Sequence, residues 1–192
     1  MYLTQLEEAL NENTPAGNLR KLVREIDERN FSSSGDGNIC RAIAKNPNTP
    51  PDILKELFSE HGYPFDVLNN PILDLLLLEN PNFINELFEN HKYHYYDDTI
   101  EPFFCLDEWA ASHKNKFIRI AVAKNPEALE TVLEELVQDN DRDVRLAVVN
   151  NMRVGFDILK KFFEDEDKEV RYAAMNKYKT ISDRNMLLKD WF

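Results

Sequence analysis

Apolar residues recur along the chain at helical spacing and fall into pairs of short segments. In the first segment of a pair they occupy positions i, i+3 and i+4, as Ile118, Ala121 and Val122 do. The second segment has a Leu-x-x-Leu pattern, as in Leu133 and Leu136. Both spacings place apolar side chains on one side of an α-helix and polar side chains on the other. The pattern therefore predicts an all-α fold made of paired short helices.

The helix pair repeats along the chain. Segments 117–126, 143–151 and 169–177 align without gaps at successive steps of 26 residues, and 39–47 is an earlier copy. One pair cannot bury its own apolar faces, whereas stacked pairs bury them against each other. The repeats therefore predict a solenoid.

An asparagine marks the end of the first helix in each pair. The first leucine of the second helix follows eight residues after it in four copies, which begin at Asn11, Asn46, Asn125 and Asn151. Asparagine tolerates the left-handed backbone conformation that closes many helices, so we assign it that role. In the best copies a proline follows, which cannot continue a helix.

We predict a single repeat domain over residues 1–192 with three parts. Residues 1–87 hold degenerate N-terminal repeats, and 88–117 hold an aromatic and acidic insertion with a modified repeat. Residues 118–192 hold the regular repeats and a C-terminal cap. Glycine and serine between Asp27 and Asn38 predict a flexible loop.

Two further helices are predicted outside the regular repeats. The leucine-rich stretch 67–81 is apolar on most sides, which predicts a central buried helix. A separate end helix is predicted over 182–192, with Ser182 as its N-cap.

The repeat pattern, Val/Ile-Arg-x-Ala-Val-Ala-x-Asn-Pro followed by Leu-x-x-Leu, is clearest at 39–58 and 118–137. It resembles the leucine-rich repeat variant family, whose arrays look similar to HEAT arrays. The resemblance implies a short right-handed α-α superhelix, here of about six degenerate two-helix repeats. The founding member of that family carries an N-terminal cysteine cluster for an iron–sulfur centre. This sequence has only Cys40 in that region, so the resemblance implies no cofactor here.

Charge narrows the classes of function. The chain has 23 basic and 35 acidic residues, a net charge of −12. Residues 46–113 alone hold thirteen acids against Lys55 and Lys92, a net charge of −11. Such an excess disfavours binding to nucleic-acid phosphates and to anionic membranes. It also attracts basic partners to the middle of the chain.

Three features favour the cytoplasm as the location. The sequence lacks an apolar run of about 18 residues that would span a membrane. Its start lacks the basic and apolar regions of a signal peptide. Its two cysteines, Cys40 and Cys105, lie 65 positions apart and form neither a metal-binding nor a disulfide pattern, which fits a reducing compartment.

Several residue groups could carry chemistry, and each has a simpler interpretation. Asp139, Asp141 and Asp143 alternate as in a calcium loop, which also needs glycine and glutamate where this chain has Val144 and Asn150. We therefore interpret the segment as a solvated turn that starts a helix.

Two candidate constellations contain histidine. His91 and His94, beside Asp97 and Asp98, have a spacing that could hold a metal ion, although a second ligand pair is missing. Cys105 and His113 could form a thiol nucleophile and its base, but no third orienting residue is visible. We predict no catalytic residue, no metal site and no enzymatic activity.

Arginines recur at or next to one repeat position, at Arg41, Arg119, Arg145 and Arg171. Similar arrays can line a DNA-binding groove. Because Asp and Glu occur on neighbouring turns, we favour structural ion pairs between repeats.

The insertion combines aromatic and acidic residues, and we predict that it binds a protein partner. The predicted partner-binding residues are Tyr93, Tyr95, Tyr96, Asp97, Asp98, Glu101 and Phe103. Tyrosine provides a large contact area at low entropic cost, although these rings could instead pack within an irregular part of the solenoid. The predicted function is a non-enzymatic scaffold that binds a basic protein or peptide. The alternative is a HEAT-like nucleic-acid-binding protein or DNA-processing enzyme. The sequence leaves the oligomeric state open.

Overall fold

The computed structural model describes residues 2–29, 34–89 and 106–189. Within these ranges all regular secondary structure is helical, which confirms the all-α prediction. None of the helices in these ranges is both long and apolar enough to cross a membrane.

The chain divides into two compact units, 1–99 and 100–192, which are described one at a time. The prediction of a single repeat domain over 1–192 stays a prediction. The helices of the first unit are α1 (Tyr2–Leu10), α2 (Ala16–Glu28), α3 (Ser34–Lys45), α4 (Pro51–Ser59), α5 (Pro64–Leu68), α6 (Leu73–Glu79) and α7 (Phe83–Glu89). The helices of the second unit are α8 (Leu106–Ala111), α9 (Lys116–Lys124), α10 (Glu130–Leu136), α11 (Arg142–Asn150), α12 (Phe156–Lys161) and α13 (Lys168–Lys189).

In the first unit, α3 packs against α1 and α5, while α2 and α4 also contact α3. The apolar side chains of the Leu-x-x-Leu helices supply much of the core. Leu19, Leu22 and Val23 of α2 are buried, and so are Leu54 and Leu57 of α4. These are the positions that the helical spacing predicted.

In the second unit, α11 packs against both α9 and α13. The helices between them in sequence form further contacts: α10 lies against α8, α9 and α11, and α12 lies against α13. Small side chains such as Ala121 and Ala147 are buried on α9 and α11, which lets the helix backbones approach each other.

A chain of buried asparagines links successive helix pairs, and we call it the asparagine ladder. Each ladder asparagine donates two hydrogen bonds from Nδ2 to backbone carbonyls of the preceding pair. The donors and acceptors are Asn46 to Ala9 and Asn11 (both 2.9 Å), Asn70 to Ala44 (2.7 Å) and Asn46 (2.9 Å), and Asn151 to Ala123 (2.7 Å) and Asn125 (2.8 Å). These bonds satisfy carbonyl groups that the end of a helix leaves without an intrahelical partner.

The ladder corrects the role that the sequence predicted for asparagine. Asn125 has φ −59° and Asn151 has φ −62°, so neither adopts the left-handed conformation. Instead each side-chain Oδ1 accepts a hydrogen bond from the backbone N–H two residues later, at 2.9 Å from Glu127 and 2.8 Å from Arg153. The side chain therefore turns the backbone on one side and bonds the preceding pair on the other.

Lys177 continues the ladder at its C-terminal end. It lies 26 residues after Asn151, and its ammonium donates to the carbonyls of Val149 and Asn151. Burial lowers the pKa of Lys177, as expected for a cation with reduced access to water. A lysine from the uninterrupted helix α13 thus occupies the position that an asparagine has in the earlier pairs.

Three local predictions are wrong in the described residues. Helix α13 runs through Ser182, so this residue is not the N-cap of a separate end helix. Helix α3 begins at Ser34, so the second part of the predicted 27–38 loop is helical. The stretch 67–81 does not form one buried helix: it contains the end of α5 and all of α6, and two leucines of α6 are exposed.

Candidate functional site: an acidic face with exposed leucines

The partner-binding residues predicted from the sequence lie outside the described residues. They are Tyr93, Tyr95, Tyr96, Asp97, Asp98, Glu101 and Phe103. His91, His94 and Cys105 lie outside them as well. The described part of the acidic middle comprises residues 46–89, which include α6 and α7, and residues 106–113.

Helix α6 buries one side and exposes the other. Leu73, Leu76 and Leu77 are buried, whereas Leu75 is 52% exposed and Leu78 is 80% exposed. The buried positions follow the i, i+3, i+4 spacing of a helix with one buried side. Leu75 and Leu78 lie on the opposite side of the helix and are exposed. The sequence-based prediction of a helix buried on most sides is therefore wrong.

The exposed side of α6 combines two leucines with two acids. Asp74, Leu75, Leu78 and Glu79 are all exposed, and they are neighbours at helical separations of three and four residues. We call these four residues the α6 face. An exposed apolar patch bordered by charged side chains is typical of a binding surface.

The surroundings of the α6 face are strongly acidic. Residues 46–89 contain eight acidic side chains and one basic side chain, Lys55. Lys55 forms an ion pair with Glu86, whose carboxylate also accepts a hydrogen bond from Asn80 at 3.0 Å. The bonds from Asn80 and Lys55 lower the pKa of Glu86, so this carboxylate stays ionised. The single lysine of this stretch is thus already paired.

A second cluster of ionisable groups lies elsewhere in the first unit. The Nε2 atom of His61 is 3.4 Å from Oδ1 of Asp27 and 3.2 Å from Oε1 of Glu56. The three side chains come from the end of α2, from α4 and from the turn that follows α4. His61 is largely buried, with 11% of its side chain exposed, while Asp27 is 41% exposed. We call this group the His61 cluster.

Cys40 is buried near these carboxylates and stays protonated. Burial, together with the negative charges of Asp27, Asp36 and Glu56, raises the pKa of its thiol to about 12. A nucleophilic cysteine needs a lowered pKa, because the thiolate is the reactive form. Cys40 is therefore a buried apolar residue rather than a nucleophile.

Two arginines of the second unit, Arg119 and Arg145, form bidentate ion pairs with aspartates. Arg119 contacts both carboxylate oxygens of Asp139, at 2.6 and 3.0 Å. Arg145 binds Asp165 in the same way, at 2.8 and 3.0 Å. In both cases the aspartate precedes the next long helix by three residues. The sequence-based preference for ion pairs between repeats is confirmed for these two arginines.

The alternating aspartates before α11 have structural partners. Asp139 binds Arg119, while Asp141 is the N-cap of α11 and accepts a hydrogen bond from the N–H of Asp143 at 2.9 Å. Lys116 bridges Asp141 and Asp143, at 3.0 and 3.1 Å. These contacts confirm that the segment is a turn that starts a helix. The side chain of Asp139 is only 7% exposed, so the prediction of a solvated turn is wrong for this residue.

His113, the predicted base for Cys105, also has local contacts. Its Nδ1 accepts a hydrogen bond from the N–H of Asn115 at 3.0 Å, and its ring packs against Trp109 with centroids 5.0 Å apart. The His61 cluster, by contrast, was not found from the sequence. Its three residues lie on separate elements, and only Glu56 and His61 are close along the chain.

Comparison with protein-family models, curated proteins and solved structures finds no match for this chain. The resemblance to the leucine-rich repeat variant family therefore stays a prediction made from the repeat pattern.

Proposed function

We propose that this chain is a non-enzymatic, cytoplasmic protein–protein interaction module that binds a basic protein or peptide through its acidic middle. We further propose that its helix pairs form a short right-handed α-α superhelix of about six repeats. The asparagine ladder supports this architecture, because each ladder asparagine bonds the pair before it. The α6 face is the single observation that supports the binding function most.

The chemistry of the α6 face favours one kind of partner. Leu75 and Leu78 offer apolar contact area, and Asp74 and Glu79 border them with negative charge. An amphipathic basic helix matches this arrangement, since its apolar side covers leucines while its lysines and arginines meet the acids. The excess negative charge of the middle region accelerates the encounter with such a partner. The residues predicted from the sequence between 93 and 103 stay part of the proposal and are tested separately.

The ion pairs of the second unit support this proposal over nucleic-acid binding. The guanidinium groups of Arg119 and Arg145 are held by aspartates, so binding DNA phosphates would require those pairs to break. Nucleic-acid affinity depends on such basic groups. Tight, salt-sensitive binding of DNA or RNA in a gel-shift assay at low salt would contradict the proposal.

Capture from a native lysate with matched variants tests the binding surface. Four immobilised baits are compared: the wild type, the leucine variant Leu75→Ser/Leu78→Ser, the charge-neutral variant Asp74→Asn/Glu79→Gln, and a control. The control, Leu3→Ser/Leu10→Ser, replaces two other exposed leucines of the same unit. We expect a basic protein that the wild type and the control retain. Its dissociation constant rises by at least about tenfold with the leucine variant. It rises less with the charge-neutral variant, and mainly at low salt.

Two outcomes would decide against this surface. If the captured protein binds all four baits equally, the α6 face does not contribute. If the variant Tyr95→Ala/Tyr96→Ala/Asp98→Ala also binds equally, the proposed acidic middle is not the binding site. Far-UV circular dichroism of each bait establishes that the fold is retained.

A further inference from the structure

We infer that Asp27, Glu56 and His61 form a binding site for a divalent transition-metal ion, with zinc as the reference ion. The site is separate from the α6 face and does not depend on the proposed interaction function. Among the described residues, these three side chains form a group whose potential ligand atoms lie within 4.8 Å of one another.

The distances fit a tetrahedral ion. Zinc binds histidine nitrogen at about 2.0–2.1 Å and carboxylate oxygen at about 2.0–2.2 Å, so two ligand atoms of a tetrahedral site are about 3.4 Å apart. The corresponding distances from Nε2 of His61 are 3.4 Å to Asp27 and 3.2 Å to Glu56. Two edges of the ligand set therefore already have the required length, and the third, between the two carboxylates, is no longer than 4.8 Å.

The ligand types favour a transition metal over calcium or magnesium. One imidazole and two carboxylates form a mixed nitrogen and oxygen set of three protein ligands, which leaves a fourth position for water. Calcium takes six to eight oxygen ligands, and magnesium keeps several waters in an octahedral shell. Imidazole in the set therefore points to zinc or a similar ion.

The local charge also suits a dication. With a neutral imidazole, Asp27 and Glu56 contribute two negative charges, whereas Asp36 is compensated by Arg29 at 3.1 Å. The negative charges of Asp27 and Glu56 also act on the nearby buried thiol of Cys40. A divalent ion at the His61 cluster neutralises that charge.

The backbone places His61 toward Glu56. Its N–H donates to the carbonyl of Glu56 at 3.3 Å, and Gly62 follows with φ +76°. That left-handed conformation is easy only for glycine, and it reverses the chain directly after the histidine. The exposed Asp27 carboxylate gives an ion access from solvent.

Calorimetric titration of the chelator-treated full chain with zinc chloride tests the site. We expect one zinc ion per chain and a higher melting temperature with zinc than without it. His61→Ala and the isosteric variants Glu56→Gln and Asp27→Asn should each weaken zinc binding by at least about 10- to 100-fold, the loss typical even of an outer-shell partner. Glu60→Gln, an exposed glutamate next to the cluster, should bind zinc like the wild type.

A fifth variant, His91→Ala/His94→Ala, removes the other candidate ligands in the sequence and should also bind like the wild type. The inference is wrong if the wild type binds no zinc, if His61→Ala binds as tightly as the wild type, or if only His91→Ala/His94→Ala loses the ion. Circular dichroism without metal shows whether each variant folds. If His61→Ala does not fold, zinc binding by Glu56→Gln and Asp27→Asn tests the site instead. Unchanged zinc binding in both variants would overturn the inference.

Discussion

The two units use the same asparagine hydrogen bonds but organise their charges differently. Asn46 and Asn70 of the first unit bond the preceding carbonyls as Asn151 does in the second. The second unit adds buried arginine–aspartate pairs at a regular position, whereas the first has an excess of acids and its bidentate pair, Arg20–Asp52, is exposed. The shared part of the repeat is thus the buried hydrogen bonding. Surface charge varies and is available for binding.

We expect the largest loss of stability from substitutions of the ladder asparagines, which test whether the ladder stabilises both units equally. Asn70→Asp and Asn151→Asp keep the side-chain shape but replace a donor by a carboxylate that faces two carbonyl oxygens. We expect each to lower the free energy of unfolding by about 3–5 kcal/mol, the cost of an uncompensated buried charge. Urea denaturation at neutral pH measures the loss.

Each ladder asparagine has an adjacent control. Asn69→Asp and Asn150→Asp change exposed asparagines one residue earlier, and we expect losses below about 1 kcal/mol. A large loss in one unit with a small loss in the other would show that the ladder does not play the same role in both.

The second prediction sharpens the difference in charge organisation. Arg145→Gln leaves Asp165 without its guanidinium, and both side chains are only 6% exposed. We expect a loss of about 3 kcal/mol, because breaking a buried pair strands a charge. The loss should depend little on salt, since a buried pair is poorly screened. Thermal and urea denaturation at low and high salt measure both effects.

The matched variant in the first unit is Arg20→Gln. Arg20 also contacts both oxygens of its aspartate, but the side chains of Arg20 and Asp52 are 35% and 62% exposed. The guanidinium lowers the pKa of Asp52, yet solvent screens the pair, so we expect a loss below about 1 kcal/mol that vanishes at high salt. Equal losses for the two variants would remove the proposed distinction between the units.

The third prediction concerns alkaline pH and the first unit. The folded-state pKa of Cys40 is raised to about 12, so above the ordinary value of 9.0 the unfolded chain loses this proton first. The folded state then binds more protons, and the free energy of unfolding falls as pH rises. The slope is up to about 1.4 kcal/mol per pH unit.

Urea denaturation at about pH 8, 9 and 10 measures that slope for the wild type and for Cys40→Ala. The variant lowers stability at neutral pH through lost packing, but its stability should change less between about pH 9 and 10 than that of the wild type. An identical slope in both proteins would show that Cys40 does not carry the effect. The window stays at or below the ordinary pKa of Tyr63, a partly buried phenol whose pKa is also raised.

The features that could be predicted from the sequence depend on local or regularly repeated patterns. The spacing of Val144, Ala147 and Val148 identified a buried helix side, and the aspartates before α11 identified its start. Both signals lie within one helix turn of the residues that they place. The preference for ion pairs at Arg119 and Arg145 was also correct, since each partner lies at a fixed distance along a regular repeat.

Long-range contacts and features that do not repeat along the chain could not be predicted from the sequence. The acceptors of the ladder asparagines are backbone carbonyls in another helix pair. Every residue has a backbone carbonyl, so the residue type does not show which ones accept these bonds. The His61 cluster joins three elements that no common pattern connects. In α6, five leucines among seven residues hide which of them face solvent, because the helical period cannot be read from a nearly continuous apolar run.

The ladder also explains how the chain accommodates helix pairs of unequal length. Linked ladder positions are 35 residues apart from Asn11 to Asn46, 24 from Asn46 to Asn70 and 26 from Asn125 to Asn151. The same two hydrogen bonds form at every one of these steps. Differences in length therefore lie in the segments between the asparagines. Neighbouring pairs are joined by the same hydrogen bonds although their lengths differ by up to eleven residues.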